Sequence, residues 1–154
     1  MSSKFNYEVR PATLRDAKAI AEIDDQASQA HWREAIEYCE PQVCVAIDGG
    51  RLVGFVGFDR SRDKGTPPTT GEIWNIKVTA SHLGKGVGLA LWDAAREGLL
   101  EEGCSTVTLW LPLANERALR FHELAGFKRE MGSIKTMPLG TAREEVIRLK
   151  RTLT

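Results

Sequence analysis

The sequence lacks the marks of several protein classes. Its three cysteines, Cys39, Cys44 and Cys104, are scattered and form no Cys-x-x-Cys pair. That excludes a disulfide framework and a cysteine-built zinc site, and it fits a reducing cytoplasm. Neither sign of charge is in excess, since 21 Lys and Arg balance 21 Asp and Glu. Without a global positive field, nucleic acid and anionic lipid are not expected partners, and any anion site has to be local. No stretch approaches the roughly 18 uninterrupted apolar residues of a membrane-spanning helix, and the start, MSSKFNYEVR, has no apolar signal-peptide core. The expectation is a cytoplasmic protein with no membrane partner. Internal repeats and low-complexity tracts are missing too.

What is present is ordinary globular material. The 154 residues are 42% hydrophobic and 27% charged, which predicts a single domain over residues 1–154 with one core. Residues 5–10 read as a strand ending at Pro11, and Thr13 then caps a helix with Asp16 imitating a capping box. A second short helix is expected from His31 to Cys39, stopping before Pro41. The β-rich runs 43–47 and 52–58 flank Asp48, Gly49 and Gly50, so an antiparallel hairpin is predicted there. After a Pro/Thr-rich loop over residues 61–70 comes a strand from about Glu72 to Val78, then the glycine-rich turn LGKGVG, then a helix from Val87 to Glu101. Further strands are expected at 105–111, from Phe127, and at 143–153, where the last closes the sheet; a helix starts at Asn115 and stops at Gly126. Six or seven strands and four helices in one mixed sheet make an α+β fold.

A strand that delivers a glycine turn to a helix start gathers free backbone N–H groups and the positive end of the helix dipole around one point, where anions bind. Glycine at positions 84, 86 and 88 keeps Cβ atoms out of the way of a pyrophosphate, and Lys85 adds a mobile charge. The turn does not have the spacing of a nucleotide-hydrolysing Walker loop. Nor is it a dinucleotide fingerprint, because its pattern is Gly-x-Gly-x-Gly and it lies past the middle of the chain.

Three segments resemble the GCN5-related N-acetyltransferases, the GNAT family. The family's turn, Gln/Arg-x-x-Gly-x-Gly/Ala, corresponds to Leu83 through Gly88. Its segment Asn-x-x-Ala-x-x-x-Tyr-x-x-x-Gly-Phe corresponds to Asn115, Ala118, His122, Gly126 and Phe127 in NERALRFHELAGF. The opening VRPATLRDAKAIAEI is similar to the family's first strand and helix, so the resemblance covers essentially the whole chain. Two positions depart from the pattern: Leu83 stands where Gln or Arg is usual, and His122 where Tyr is usual.

The resemblance implies a mainly antiparallel mixed sheet whose two central strands splay into an acetyl-CoA cleft. It implies that the backbone of Ile76, Lys77 and Val78 pairs with pantetheine. The amides of Gly84, Lys85, Gly86, Val87, Gly88 and Leu89 would hold the pyrophosphate, and Asn115 would reach the cofactor. Acetyl-CoA is then the co-substrate, with no metal, and the acceptor is an amine of a small molecule or a peptide. Direct attack on the thioester needs a proton acceptor, since an alkylammonium has an ordinary pKa of about 10 by analogy with lysine. Glu72, six residues before Val78, is the candidate base, with a solvated strand-end carboxylate as its alternative. His122 is the candidate acid for the departing thiolate, with a packed or backbone-bonded histidine as its alternative. The family's acceptor-recognition elements correspond to His31, Trp32, Glu34 and residues 60–64, with Trp74 as a candidate pocket wall. Family habit implies a homodimer. The rival readings are a CoA-binding sensor or interaction module without turnover, and a nucleotide-phosphate binder.

Overall fold

A computed structural model describes residues 7–139 and 141–153; residues 5 and 6 of the expected first strand lie outside them. Seven strands run β1 (Glu8–Pro11), β2 (Gln42–Asp48), β3 (Arg51–Arg60), β4 (Thr70–Val78), β5 (Thr106–Pro112), β6 (Lys128–Leu139) and β7 (Ala142–Thr152). Four helices accompany them: α1 (Ala17–Ile23), α2 (Gln29–Tyr38), α3 (Val87–Glu101) and α4 (Glu116–Leu124). The sheet order is β1-β2-β3-β4-β5-β7-β6. The β4–β5 pair is parallel, while β1–β2, β2–β3, β5–β7 and β6–β7 are antiparallel.

The chain divides into two compact units. The first holds the described residues up to Asp59 together with Ile73–Glu102, and the second holds Arg60–Glu72 together with the described residues from Gly103 onward. In the first unit, Pro11 is the last residue of β1, opposite Cys44. A proline without an N–H is tolerated there because β1 is an edge strand. The capping box forms as read: the Thr13 N–H donates to Asp16 Oδ2 at 2.7 Å, and Arg10 donates to both carboxylate oxygens, at 2.8 and 3.1 Å. The hairpin closes through Gly49 and Gly50, with φ of 57° and 81°, as a two-residue loop between Asp48 and Arg51 requires. One core cluster sets Ala17, Ile20, Trp32 and Ala35 of the first two helices on Val43, Val45 and Phe55, with Trp32 and Phe55 edge to face at 5.0 Å. Helix α3 buries Val87, Leu91, Ala95 and Leu99 completely. It comes close to β3 because Gly54 has no Cβ, which would lie 3.0 Å from Leu91 Cδ1 and 3.1 Å from Val87 Cγ1.

In the second unit the core is Val107, Leu109, Leu119, Phe127, Ile147, Leu149 and Leu153. Here one expectation is corrected. The last strand does not close the sheet; β7 is inserted between β5 and β6, and β6 forms the edge. The physical reason is burial on both faces of β7, where Val146 is 5% exposed and Ile147 and Leu149 are fully buried, whereas β6 is largely polar, with Met131 66% exposed.

Candidate active site

The glycine turn belongs to the first unit. Strand β4 ends at Val78, and the Thr79 N–H donates to Val53 O at 2.9 Å. A single 3-10 turn (Ala80–His82) leads to Gly84 and Gly86, whose φ values of 74° and 88° are left-handed. Glycine adopts this conformation without the clash an L side chain would meet. Gly86 is the N-cap of α3, and the first helical hydrogen bond runs from Ala90 N to Gly86 O at 3.1 Å. The N–H groups of Gly86, Val87, Gly88 and Leu89 are thus the orphan donors of the helix start. Among the described residues no side chain caps them, and the first turn carries no acidic residue, so the positive end of a 15-residue helix is open to an anion. An added Cβ at Gly84 would meet nothing within 4 Å, which leaves that backbone bare. This arrangement fits a diphosphate.

The backbone of Ile76, Lys77 and Val78 lies on the half-buried last part of β4. The Lys77 side chain is already engaged. Its ammonium donates to Asp24 Oδ1 at 3.0 Å and Asp25 Oδ1 at 3.4 Å, and buried Asp24 also accepts from Trp32 Nε1 at 3.0 Å. Trp32 is therefore a core residue held by an ion-paired carboxylate and not a pocket wall, while His31 and Glu34 are exposed on α2. Trp74 is half-buried on β4.

Glu72, Asn115 and His122 belong to the second unit. Glu72 is 2% exposed, so its carboxylate is not a solvated strand end. Arg62 wraps it: the backbone N–H and Nε donate to Oε1 at 2.9 and 3.3 Å, and Nη2 donates to Oε2 at 2.7 Å. A carboxylate offers about four lone-pair positions. Oε2 thus keeps one acceptor direction free. The loop carrying Arg62 is tied down further, as Trp110 Nε1 donates to Asp63 at 3.1 Å and Arg148 pairs with Asp63 at 3.3 Å.

Asn115 is the N-cap of α4, its Oδ1 accepting from the Ala118 N–H at 3.2 Å, which leaves its amide NH2 as the group available to a ligand. His122 is buried between Phe121 and Phe127, with ring centroids at 4.9 and 5.4 Å. Its Nδ1 lies 2.8 Å from Ala118 O. A carbonyl only accepts, so Nδ1 carries the proton and Nε2 of the neutral ring is an acceptor. Burial holds this imidazole below the usual histidine range, partly opposed by the bond to Ala118. As an acid, His122 first has to take up a proton at Nε2. A groove of about 290 Å³ in this unit is lined by Thr70, Thr106, Thr108, Arg148 and Lys150 among others, and none of Glu72, Asn115 and His122 lines it.

Several contacts around these sites were not read from the sequence. Arg62, named there only within the 60–64 stretch, pairs with Glu72 ten residues on, while Asp48, named only as a hairpin-turn residue, and His82 and Tyr7 meet around the glycine turn. Only His82, two residues before Gly84, carried a positional hint. Among the described residues no group of three or more His, Cys, Asp or Glu could hold a metal ion, and no helix is long and apolar enough to cross a membrane.

A mycothiol acetyltransferase from Propionibacterium freudenreichii is 34% identical over 121 residues, covering 77% of this chain and 38% of that protein. The chain spans only about a third of the length of the mycothiol acetyltransferases it matches, 38% and 31% for two of them. An N-acetyltransferase from Staphylococcus aureus superposes with a TM-score of 0.81 at 21% identity, covering 97% of this chain and 99% of that one. A putative acetyltransferase from Salmonella typhimurium, solved with its cofactor acetyl-CoA, also gives 0.81, at 20% identity and 97% and 95% coverage. The model of the Acetyltransferase (GNAT) family matches residues 7–127. Since that match takes in the glycine turn and the segment from Asn115 to Phe127 alike, the chain belongs to the GNAT acetyltransferase family.

Proposed function

We propose that the protein transfers the acetyl group of acetyl-CoA to a primary amine, by direct attack in a ternary complex. The observation that carries this reading is the uncapped start of α3 behind an exposed glycine turn, in a chain of this family. In the proposal the N–H groups of Gly84, Lys85, Gly86, Val87, Gly88 and Leu89 hold the diphosphate. The backbone of Ile76, Lys77 and Val78 adds to pantetheine as a strand edge, and the Asn115 amide donates to the cofactor. Acetyl-CoA supplies an activated thioester carbonyl; the chain's own groups bind it and handle protons. A backbone N–H near Val78 steadies the oxyanion.

Glu72 takes the ammonium proton through water at the one free acceptor direction of Oε2. Arg62, whose side chain is 53% exposed, keeps that carboxylate oriented. His122 acts on the leaving thiolate only in its protonated form, so its contribution fades as pH rises. The names of the matched relatives put a mycothiol-type amine on the acceptor panel, beside polyamines, aminoglycoside antibiotics, amino acids and peptide N-termini.

The second reading, a CoA-binding module with little turnover, is favoured by two specific features: both Glu72 oxygens are engaged by Arg62, and the neutral His122 has no proton at Nε2. Calorimetry with CoA and thiol release from acetyl-CoA across the amine panel separate the two. Amine-dependent release supports transfer. Tight CoA binding with no release for any amine supports the module, and no CoA binding rejects both.

A further inference from the structure

The glycine turn is largely exposed, and its two left-handed glycines have more backbone freedom than any other residue type would have there. Ser81, Leu83, Gly84 and Lys85 are all exposed, so side-chain burial does little to hold it. A loose anion-binding loop has to be ordered on binding, and that cost weakens affinity. Two contacts reach the turn from elsewhere in the unit and reduce this freedom.

The Tyr7 hydroxyl donates to the Lys85 carbonyl at 2.9 Å. In a planar trans peptide the carbonyl of Lys85 and the N–H of Gly86 point in opposite directions, so anchoring the first aims the second. Gly86 N–H is one of the open donors at the head of α3. The other contact comes from the hairpin corner, where Asp48 Oδ2 lies 2.8 Å from His82 Nε2. A carboxylate only accepts, so Nε2 carries a proton; Nδ1, 2.8 Å from Ser81 Oγ, then accepts the serine hydroxyl in the neutral ring. His82 is mostly buried, its side chain 16% exposed, and Tyr7 packs edge-on to it at 6.3 Å. One side of the turn is thereby bound to the strand ends of β1 and β2.

We propose that Tyr7, Asp48 and His82 form a brace that pre-orders the glycine turn, making them positioning residues for recognition of the donor's diphosphate. The proposal rests on the turn being the diphosphate site. It makes a distinction that general structural support does not: the brace acts on an acyl donor that carries a diphosphate and not on one that lacks it.

The test uses Tyr7→Phe, which removes one hydroxyl, and Asp48→Ala, with Asp48→Asn as the conservative partner because its amide oxygen still accepts from Nε2. CoA affinity is measured by calorimetry. Steady-state rates are compared for acetyl-CoA and S-acetyl-pantetheine, which has no diphosphate. Tyr7→Phe and Asp48→Ala are expected to weaken CoA binding about three- to tenfold, the scale of one lost hydrogen bond. The loss appears in the KM for acetyl-CoA and not in kcat, the preference for acetyl-CoA over S-acetyl-pantetheine falls by the same factor, and Asp48→Asn restores most of it. Unchanged CoA affinity in both variants overturns the brace, as does an equal loss with the two donors. A wild-type protein that binds no CoA removes the reading of the turn, and the brace with it; wild-type binding that the variants leave intact removes the brace alone.

Discussion

In the first unit the backbone over residues 84–89 keeps its donors open, whereas in the second unit Glu72 has three bonds from Arg62, and Asn115 and His122 each commit one polar group to their own helix. The contrast follows from the groups involved. A helix start cannot satisfy its own first N–H groups, and here no side chain among the described residues does it for them. A buried carboxylate or imidazole is costly to leave unpaired, so Glu72 carries Arg62 and His122 carries Ala118 O. The lesson is that binding and chemistry answer to different constraints in this chain. The donors of the proposed anion site are open as folded, while in the proposed chemistry the base step needs the last lone pair of Glu72 and the acid step a protonated His122.

The sharpest way to break this comparison is to close the open side. Gly86→Trp places a bulky side chain at a residue with φ of 88°, and CoA affinity measured by calorimetry is expected to fall by about a hundredfold or more, through steric exclusion and through backbone strain. A melting curve checks that the fold survives. Affinity equal to wild type would detach the turn from binding. Next comes the engaged side. Glu72→Gln is expected to lower kcat by roughly a hundredfold, the usual scale for a lost general base, while CoA affinity stays within twofold. Wild-type turnover in this variant would remove the base role.

A smaller effect is expected at His122. Its native pKa lies below the unfolded value of about 6.5, so between the two the unfolded chain binds the proton and the native one does not. The contribution is fully present above about pH 6.5 and is lost as pH falls through the native pKa. Denaturant unfolding of His122→Phe should show a cost of about 1 kcal/mol at pH 8, from the lost bond to Ala118, shrinking toward acid pH. A difference that stays constant with pH would contradict the buried neutral ring. The smallest change is Leu83→Arg. Leu83 is 41% exposed beside the turn, and returning the family's polar residue should tighten CoA binding about threefold, as one exposed charge-assisted contact allows. Weaker binding would mean that the leucine itself contributes.

Much of the scaffold was legible from local signals. The α3 helix runs from Val87 to Glu101 as its glycine punctuation and apolar spacing indicate, and Asn115 caps α4 as an asparagine before a helix should. The GNAT assignment was legible for the same reason, since its motifs are local strings. Features made by residues distant in sequence were not legible. Alternation along residues 143–153 signals a strand, but the place of β7 between β5 and β6 follows from which strands bury both faces, which only the assembled sheet decides. The Arg62–Glu72 pair joins residues ten apart across a Pro/Thr loop, and the Asp48–His82 contact joins residues 34 apart. No periodicity encodes such pairings. His122 was partly readable, because a histidine in the last turn of a helix lies within reach of the carbonyl four residues earlier, which is where its Nδ1 proton goes.

The central claim is that backbone amides at the head of α3 bind the donor's diphosphate. Titrating CoA into isotope-labelled protein and following backbone amide resonances tests it directly. The account predicts that the largest shifts fall on the N–H groups of Gly84, Lys85, Gly86, Val87, Gly88 and Leu89, and that 3′,5′-ADP, which lacks the diphosphate, moves them far less. Saturating CoA that leaves these resonances in place, or shifts centred on another segment, would contradict it.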